Sequence, residues 1–472
     1  MVQRIYERWL QSLRKHPQRP AYLMIADLIG DGIQSGEFQA RDRLPPLRDL
    51  AVALQLNYTT VTRGYAEAKK RGLIDSRPGM GSFIRGKVPA IPLSGGSSYE
   101  MTMNSPIEPE GAQIGEMIRL GALNLFSRQD LFPLLRYQDF GGIAADKEAA
   151  MLWLGKRLPP LMAEEVLVCP GIHSALVGLL TLLGRKGGSI CVGNLVYPGL
   201  KAIAAQLAVP LHALDCDNDG PTPRAFENQC QGGHVSALYL NPTIHNPTTL
   251  TMPLRRRESL ADIALRYSIP IIEDDAYAAL PQPGSPHATL PTFAELVPEL
   301  TWYLTGLSKC FGAGMRIAYV KGPGKRSTQL LAGALRALTV MSSPITNALA
   351  TQWITEGTAD SVLLAIRGEA QARQQLARLH LQKFNYRADA DGFHLWLFLP
   401  KQHGWNPSDV AVKLREQGVS AVSSAAFSTD NNPPDALRIC LGGANTRRLC
   451  EENLKVIADM LEYPGHFASV AL

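Results

Sequence analysis

Tyr303-Leu304-Thr305-Gly306-Leu307-Ser308-Lys309-Cys310-Phe311-Gly312-Ala313-Gly314-Met315-Arg316-Ile317-Ala318-Tyr319-Val320 reads as an apolar strand, a lysine where the strand gives way to a loop, and an arginine leading into a second apolar run. A lysine in that setting invites a chemical role. A desolvated ammonium loses its charge more readily than a solvated one, so a half-buried Lys309 is a candidate nucleophile toward an aldehyde, the candidate Schiff-base lysine. Arg316 offers a planar two-pronged donor for a phosphate. Gly312 and Gly314 let the backbone curl between the two. Seen alone, Lys309 is more often just an exposed lysine at a strand end; its neighbours along the chain change that.

Working outward, apolar runs of strand length alternate with segments of helical length: 165–169 with 175–183, 189–192 with 200–207, 237–240 with 254–267, then 270–273 and 301–304. Such alternation predicts an α/β fold whose largely parallel sheet is covered on both faces. Ligands of these sheets collect beyond the carboxyl ends of the strands. Each strand end here carries a usable group. Cys169-Pro170-Gly171-Ile172-His173 is a glycine turn opening a helix, whose free N–H groups at Gly171, Ile172 and His173 suit a phosphate. Tyr197 offers an aromatic face to a flat ring. Asn246, within Asn241-Pro242-Thr243-Ile244-His245-Asn246-Pro247-Thr248, is a donor. Asp274, within Ile272-Glu273-Asp274-Asp275-Ala276-Tyr277, is an acid with a phenol, Tyr277, three residues on. Each is by itself equally a packing or surface residue; their order along the chain carries the argument.

The ordered series resembles the fold type I, pyridoxal-phosphate-dependent aminotransferases over nearly all of residues 115–465. The resemblance implies pyridoxal 5'-phosphate as cofactor on Lys309. It places Asp274 beside the protonated pyridine nitrogen, Asn246 and Tyr277 on the ring hydroxyl oxygen, Tyr197 against the ring, and residues 171–173, Ser308 and Arg316 around the phosphate. Arg438, in Ala436-Leu437-Arg438-Ile439, would clamp the α-carboxylate of an amino compound, and Tyr137, in Tyr137-Gln138-Asp139-Phe140-Gly141-Gly142, would line the way in for substrate or effector. A homodimer and a smaller C-terminal α+β part are implied as well. The chain departs from the family pattern at Gly306, where Ser or Thr is frequent, at Thr249 in place of glycine, and at Asp146-Lys147 in place of Leu-Arg. The body is accordingly expected to be regulatory, with at most partial transamination.

Ahead of this body, residues 1–87 hold 15 Lys plus Arg against 8 Asp plus Glu, a surplus of seven, whereas the whole chain is only +5. The basic excess therefore sits entirely at the front, as in a module that meets a polyanion. Residues 21–34 carry apolar positions at helical spacing, residues 47–54 and 58–70 form two helices about the turn Gln55-Leu56-Asn57, and residues 72–84 make two short strands about a Pro-Gly turn. Asn57 is placed to cap the second helix; Val61, Tyr65 and Ala68 point inward, while Thr59, Thr60, Thr62 and Arg63 stay free. This order, with Leu44-Pro45-Pro46-Leu47-Arg48-Asp49-Leu50-Ala51 and Arg77-Pro78-Gly79-Met80-Gly81-Ser82, resembles the winged helix-turn-helix of GntR-type regulators. It implies double-stranded DNA as partner, with Arg48, Tyr58, Thr59, Thr60, Thr62 and Arg63 at the major groove or its backbone, and Arg77, Gly79 and Gly81 near the minor groove. Tyr58 and Thr62 stand where arginine is frequent in that family, so base preference does not carry over.

Between the halves, Pro, Gly and Ser predominate without periodicity, a mobile connection. The expected division is 1–86 winged helix-turn-helix, 87–111 linker and 112–472 aminotransferase-like body. The 472 residues, 46% hydrophobic and 19% charged, suit an ordinary soluble globular protein. Arg4, Glu7, Arg8, Arg14 and Lys15 break up the N-terminus, and no apolar run approaches membrane-spanning length, so a cytoplasmic protein with no membrane partner is expected. The seven scattered cysteines, never in CxxC spacing, suggest neither disulfides nor a metal site. A GntR-like head on an aminotransferase-like body resembles the MocR family of bacterial transcription regulators, which implies a regulator that senses its cofactor or a small amino compound; an active aminotransferase carrying a DNA-binding domain is the alternative.

Overall fold

The computed structural model describes residues 2–15, 19–39, 42–71, 73–77, 81–84, 102–127, 130–184, 188–401, 404–430 and 432–463. They belong to two compact units, one within residues 1–95 and one within 96–472.

The first unit runs α1 (Val2–Lys15), α2 (Ala21–Gln34), α3 (Leu47–Leu54), α4 (Tyr58–Lys70) and the antiparallel ribbon β1 (Ile74–Arg77) and β2 (Gly81–Ile84). Its core joins Trp9, Ile25, Ile29, Leu50, Leu54, Val61, Tyr65, Ala68, Ile74 and Ile84. The apolar face of α4 is the one its helical spacing predicts. Gly64 lies where α4 crosses α2: a Cβ there would stand 2.9 Å from Ile25. Asn57 occupies the cap position of α4 but its side chain makes no capping hydrogen bond, contrary to expectation; packing of the buried face holds the helix instead. Leu44 N donates to Ser82 O at 2.9 Å and Ile84 N to Asp42 O at 2.8 Å, which ties the wing to the stretch before α3.

The second unit opens with α5 (Ala112–Phe126) and α6 (Ala144–Leu154), then β3 (Val166–Cys169), α7 (Ile172–Leu183), β4 (Ser189–Gly193), α8 (Pro198–Gln206), β5 (Leu211–Leu214) and a small ribbon, β6 (Cys216–Asp217) with β7 (Gly220–Pro221). It continues through α9 (Pro223–Gln231), β8 (Val235–Leu240), α10 (Leu254–Tyr267), β9 (Ile271–Asp274), α11 (Phe293–Leu296), β10 (Thr301–Gly306), β11 (Ala318–Lys321), α12 (Lys325–Thr339) and α13 (Pro344–Thr355). The large sheet has seven strands in the order β3-β11-β10-β9-β8-β4-β5. All are parallel except β11, which runs antiparallel to both β10 and β3. Alternate residues serve opposite faces: Trp302, Leu304, Ala318 and Val320 pack under α7, α8 and α12, whereas Tyr303 and Tyr319 pack on the other side with Trp153 and Trp353. Burial on both sides explains why these strands are continuous apolar runs.

A smaller α+β part follows: α14 (Thr358–Leu381), β12 (Tyr386–Ala388), β13 (His394–Phe398), α15 (Pro407–Glu416), β14 (Ala421–Ser423), β15 (Ala436–Cys440) and α16 (Arg447–Glu462), with an antiparallel sheet ordered β12-β13-β15-β14. Arg373 and Arg447 both engage Glu369 here, locking α14 to the chain around α16.

One expectation needs correction. Residues 102–110, assigned to the linker, lie on the body: Asn104 is buried and Ile107 joins its core. Short, non-periodic segments of this kind are placed by tertiary contacts, which local patterning does not announce. Asp146, one of the departures, is a structural residue; it accepts from Thr351 Oγ1 at 2.8 Å and from Asn347 Nδ2 at 3.4 Å and so fastens α6 to α13.

Candidate cofactor site and nucleic-acid surface

The carboxyl ends of β3, β4, β8, β9 and β10 open on a cavity of about 880 Å³, within the range of small-ligand sites. Lys309, Ser308, Ile172, His173, Tyr197, Asn246, Asp274, Tyr277, Arg316 and Arg438 all line it. The antiparallel strand β11 explains the presence of Arg316. Because β11 starts at the edge where its neighbours end, with Ala318 opposite both Gly306 and Cys169, the residues just before it fall beside the turns after β3 and β10. Gly171, at φ +90°, makes room for the guanidinium: a Cβ there would lie 2.6 Å from Arg316 Nη2. Gly171 N itself donates to Cys169 O at 2.8 Å. The N–H groups that α7 can offer an anion are therefore those of Ile172 and His173, in its first turn. Of the two hydroxyls on either side of Gly306-Leu307, Ser308 faces the cavity, whereas Thr305 is buried in β10. Gly306 is required by packing, since a Cβ would meet Ile317 O at 2.9 Å.

Burial pulls the Lys309 ammonium down to about 8, with the Arg438 and Arg316 charges acting in the same direction against Cys440 and Asp274. Burial likewise pushes Asp274 up to about 6; Asp275 adds to this, and the 2.7 Å hydrogen bond donated by Tyr239 to Asp274 Oδ2 opposes it. Asn241 supports the same corner, donating from Nδ2 to Asp274 O at 2.6 Å and accepting at Oδ1 from Asn246 N at 2.8 Å. The His173 imidazole sits below its ordinary value through burial and the nearby Arg316, so it is neutral at pH 7. The neighbouring acid Glu273 faces away: its carboxylate accepts from Phe293 N and Ala294 N, both at 3.0 Å, and lies 4.0 Å from Arg257.

The sequence reading missed several groups here. Asn104 approaches from outside the strand-end series, and its carbonyl oxygen accepts from Lys309 Nζ while its Nδ2 donates to Tyr277 Oη at 2.7 Å. Thr102 O accepts from Arg438 Nη2 at 2.7 Å. His394 and Tyr239 complete the set. No local pattern marks these four as site residues. Tyr137, expected on the way in, is 86% exposed and does not line the cavity of its own chain. It sits on the loop between α5 and α6, with its side chain turned to solvent.

The donor set fits pyridoxal phosphate. Asp274 Oδ1 is buried with no hydrogen-bond partner among the described residues, the demand that a protonated ring nitrogen would meet, and Asn246 lines the same cavity. Arg316 and the start of α7 suit the phosphate, and a lysine at about 8 suits an aldehyde. Among the described residues, no group of three His, Cys, Asp or Glu could hold a metal ion.

On the first unit, Arg48, Thr59 and Thr62 are exposed, Tyr58 largely so and Thr60 partly buried. Thr62 Oγ1 donates to Tyr58 O at 2.9 Å, and the Arg63 guanidinium lies 4.5 Å over the Tyr22 ring, so neither is as free as expected. Gly81, at φ +102°, holds the wing close to Arg43, whose Nε would stand 3.2 Å from an added Cβ. Gly79 and the Arg77 side chain lie outside the described residues.

The sequence pattern of the family described as "Aminotransferase class I and II" matches residues 124–457, and that of "Bacterial regulatory proteins, gntR family" matches residues 21–84. The chain is 27% identical over 471 residues to the HTH-type transcriptional regulator YdeF of Bacillus subtilis, covering 96% of this chain and 97% of that protein. It is 26% identical to the vitamin B6 salvage pathway transcriptional repressor PtsJ of Salmonella typhimurium, over 89% of this chain and 94% of that one. Among solved structures it superposes on LysN, the alpha-aminoadipate aminotransferase of Thermus thermophilus, with a TM-score of 0.68 and 22% identity over 78% of this chain and 92% of that chain.

Proposed function

The chain belongs to the aminotransferase class I and II family and has the architecture of a MocR-type, pyridoxal-phosphate-dependent transcription regulator, and we propose that its body senses a small amino compound bearing a carboxylate and passes that signal to a DNA-binding head. When bound, pyridoxal phosphate supplies an aldehyde for a lysine amine and an electron-withdrawing ring. The protein's part is to hold it: Lys309 as attachment point, Asp274 keeping the ring nitrogen protonated, Asn246 and Tyr277 at the ring oxygen, Tyr197 on the ring face, and Ser308, Arg316 and the start of α7 on the phosphate.

One observation carries the regulatory reading. The segment that follows the connection to the head, Thr102 to Asn104, supplies carbonyl oxygens to Arg438 and Lys309. A carboxylate is a far stronger partner for a buried guanidinium than a neutral carbonyl, so a ligand claiming Arg438 competes with the very segment that leads to the DNA-binding module. Ligand then shifts an equilibrium through contacts that differ between the two arrangements. Arg48 and the start of α4 read the major groove or its phosphates, and the wing approaches the minor groove.

A homodimer belongs to this proposal. Leu120, Leu123, Phe126, Phe132, Leu135 and Tyr137 are all exposed on or after α5, an apolar face that a second copy would cover; Tyr137 would then serve the partner's cavity rather than its own. Two heads would read paired half-sites. Among the described residues no helix is long and apolar enough to cross a membrane, and the setting we propose is the cytoplasm.

Footprinting on DNA upstream of the chain's own coding region tests the proposal, comparing cofactor-free protein, loaded protein, and loaded protein with a panel of amino acids. A paired site whose affinity changes with cofactor and with one class of amino acid is expected; protection indifferent to both would overturn sensing. The completeness of the Lys309, Asp274, Tyr277 and Arg438 set favours a second reading, an aminotransferase carrying a DNA-binding domain. Sustained turnover of an amino donor with a keto acid would support it.

A further inference from the structure

Asn104 is 3% exposed and sits between two ring side chains. Its Nδ2 lies 2.7 Å from Tyr277 Oη and 3.3 Å from His394 Nδ1. Beyond it, His394 Nε2 lies 3.2 Å from the carbonyl oxygen of His245. A carbonyl only accepts, so Nε2 carries the imidazole proton and Nδ1 is an acceptor. Burial, reinforced by the Arg438 charge, holds His394 down at about 3, so it stays neutral and keeps this tautomer. The amide orientation follows: turned the other way, Asn104 would set Oδ1 against the Nδ1 lone pair. Its two N–H hydrogens therefore go to Nδ1 and to Tyr277 Oη. Tyr277 is thereby an acceptor on its Asn104 side, and its own proton is left to point into the cavity it lines.

We propose that Asn104 is a positioning residue for the cofactor's ring oxygen: held by His394, it aims the Tyr277 hydroxyl proton into the cavity and strengthens that hydroxyl as a donor. This rests on the reading that the cavity binds pyridoxal phosphate. A hydroxyl that accepts a hydrogen bond donates a better one. A stronger donor draws charge off the ring oxygen, which then holds the proton on the cofactor-linked Lys309 nitrogen less tightly. Asn104 also contributes the carbonyl that meets Lys309, so one residue touches both the cofactor's attachment point and its ring partner.

The test is a pH titration of the absorbance of bound pyridoxal phosphate in the full chain. Asn104→Leu removes the donor at nearly constant shape, and the midpoint should move up by roughly one to three tenths of a pH unit, the cooperative fraction of one neutral hydrogen bond. Asn104→Asp costs more in folding, because a buried oxygen then faces the His394 Nδ1 lone pair; as a carboxylate at neutral pH it can only accept, so it draws the Tyr277 proton to itself and should shift the midpoint in the same direction. Tyr277→Phe should shift it further, and adding Asn104→Leu to that background should change nothing more. A midpoint unmoved by either Asn104 variant, or an Asn104→Leu shift of equal size without the Tyr277 hydroxyl, would overturn the inference. Wild-type protein that develops no cofactor absorbance would instead defeat the cofactor reading beneath it.

Discussion

The DNA-binding unit presents its candidate contacts in water, whereas the body takes its own out of water. Arg48, Thr59 and Thr62 project from α3 and α4 with exposed side chains, and their neighbours on the same helices build the core. In the body, Asp274, Asn246, Tyr277 and Arg438 are buried, and Lys309 and Asp274 have their proton affinities moved by that burial. An exposed surface for a polyanion needs only side chains and net charge, and the ligand brings the opposite charge. A buried site must first be desolvated, so its groups stay poorly satisfied until the ligand arrives. Substitutions should therefore cost more in the body than in the head, and each unit's ligand should bind unchanged when the other unit's ligand is absent.

The largest effect is expected at Lys309. Lys309→Ala should abolish the borohydride-reducible adduct, and an adduct that persists would move the attachment point elsewhere. The wild-type rate of adduct formation should rise with pH, because the neutral amine gains population as the proton leaves, and should level off above about 8 rather than near the 10.5 of an ordinary lysine. Asp274→Ala should follow. Removing one member of a buried charged pair costs about 2–5 kcal/mol, so cofactor affinity measured by fluorescence should fall roughly thirtyfold or more, with operator binding by the cofactor-free protein unchanged.

On the head, Arg48→Ala should weaken operator binding by about 1–3 kcal/mol if it reads a base, or lower the salt slope by about one if it meets a phosphate, while cofactor affinity stays put. A matching fall in cofactor affinity would break the contrast. Smaller still, Gly171→Ala places a side chain at φ +90° and against Arg316, which should weaken cofactor binding by about 1 kcal/mol or somewhat more. Arg63→Ala should be mildest, because that guanidinium is already stacked on Tyr22.

Much of this was legible from local pattern. The bounds of α2, α3, α4 and α10 coincide with the apolar spacing, and the strand-end residues converge as their order along the chain suggested. Tyr137 did not join them, and the 87–111 boundary was set too far along. For the boundary the deciding contacts are distant, carbonyl oxygens of Thr102 and Asn104 meeting cations more than two hundred residues away; for Tyr137 it is the loop path, which turns the side chain to solvent. Helix α1, whose Trp9 fills the head core, was missed because its charges obscured the apolar stripe.

By itself the sequence determined the two-part plan, the alternation that makes a buried parallel sheet, and the identity of the groups at its strand ends, because periodicity, charge and residue type are local properties. Only the tertiary structure decided that β11 runs backwards and so delivers Arg316 to Gly171, that Asp274 is braced by Tyr239, and that Asn104 stands between Tyr277 and His394. Those are pairings across the sheet and between layers. Their energies come from burial and hydrogen bonding between segments far apart in the chain, which no window of sequence contains.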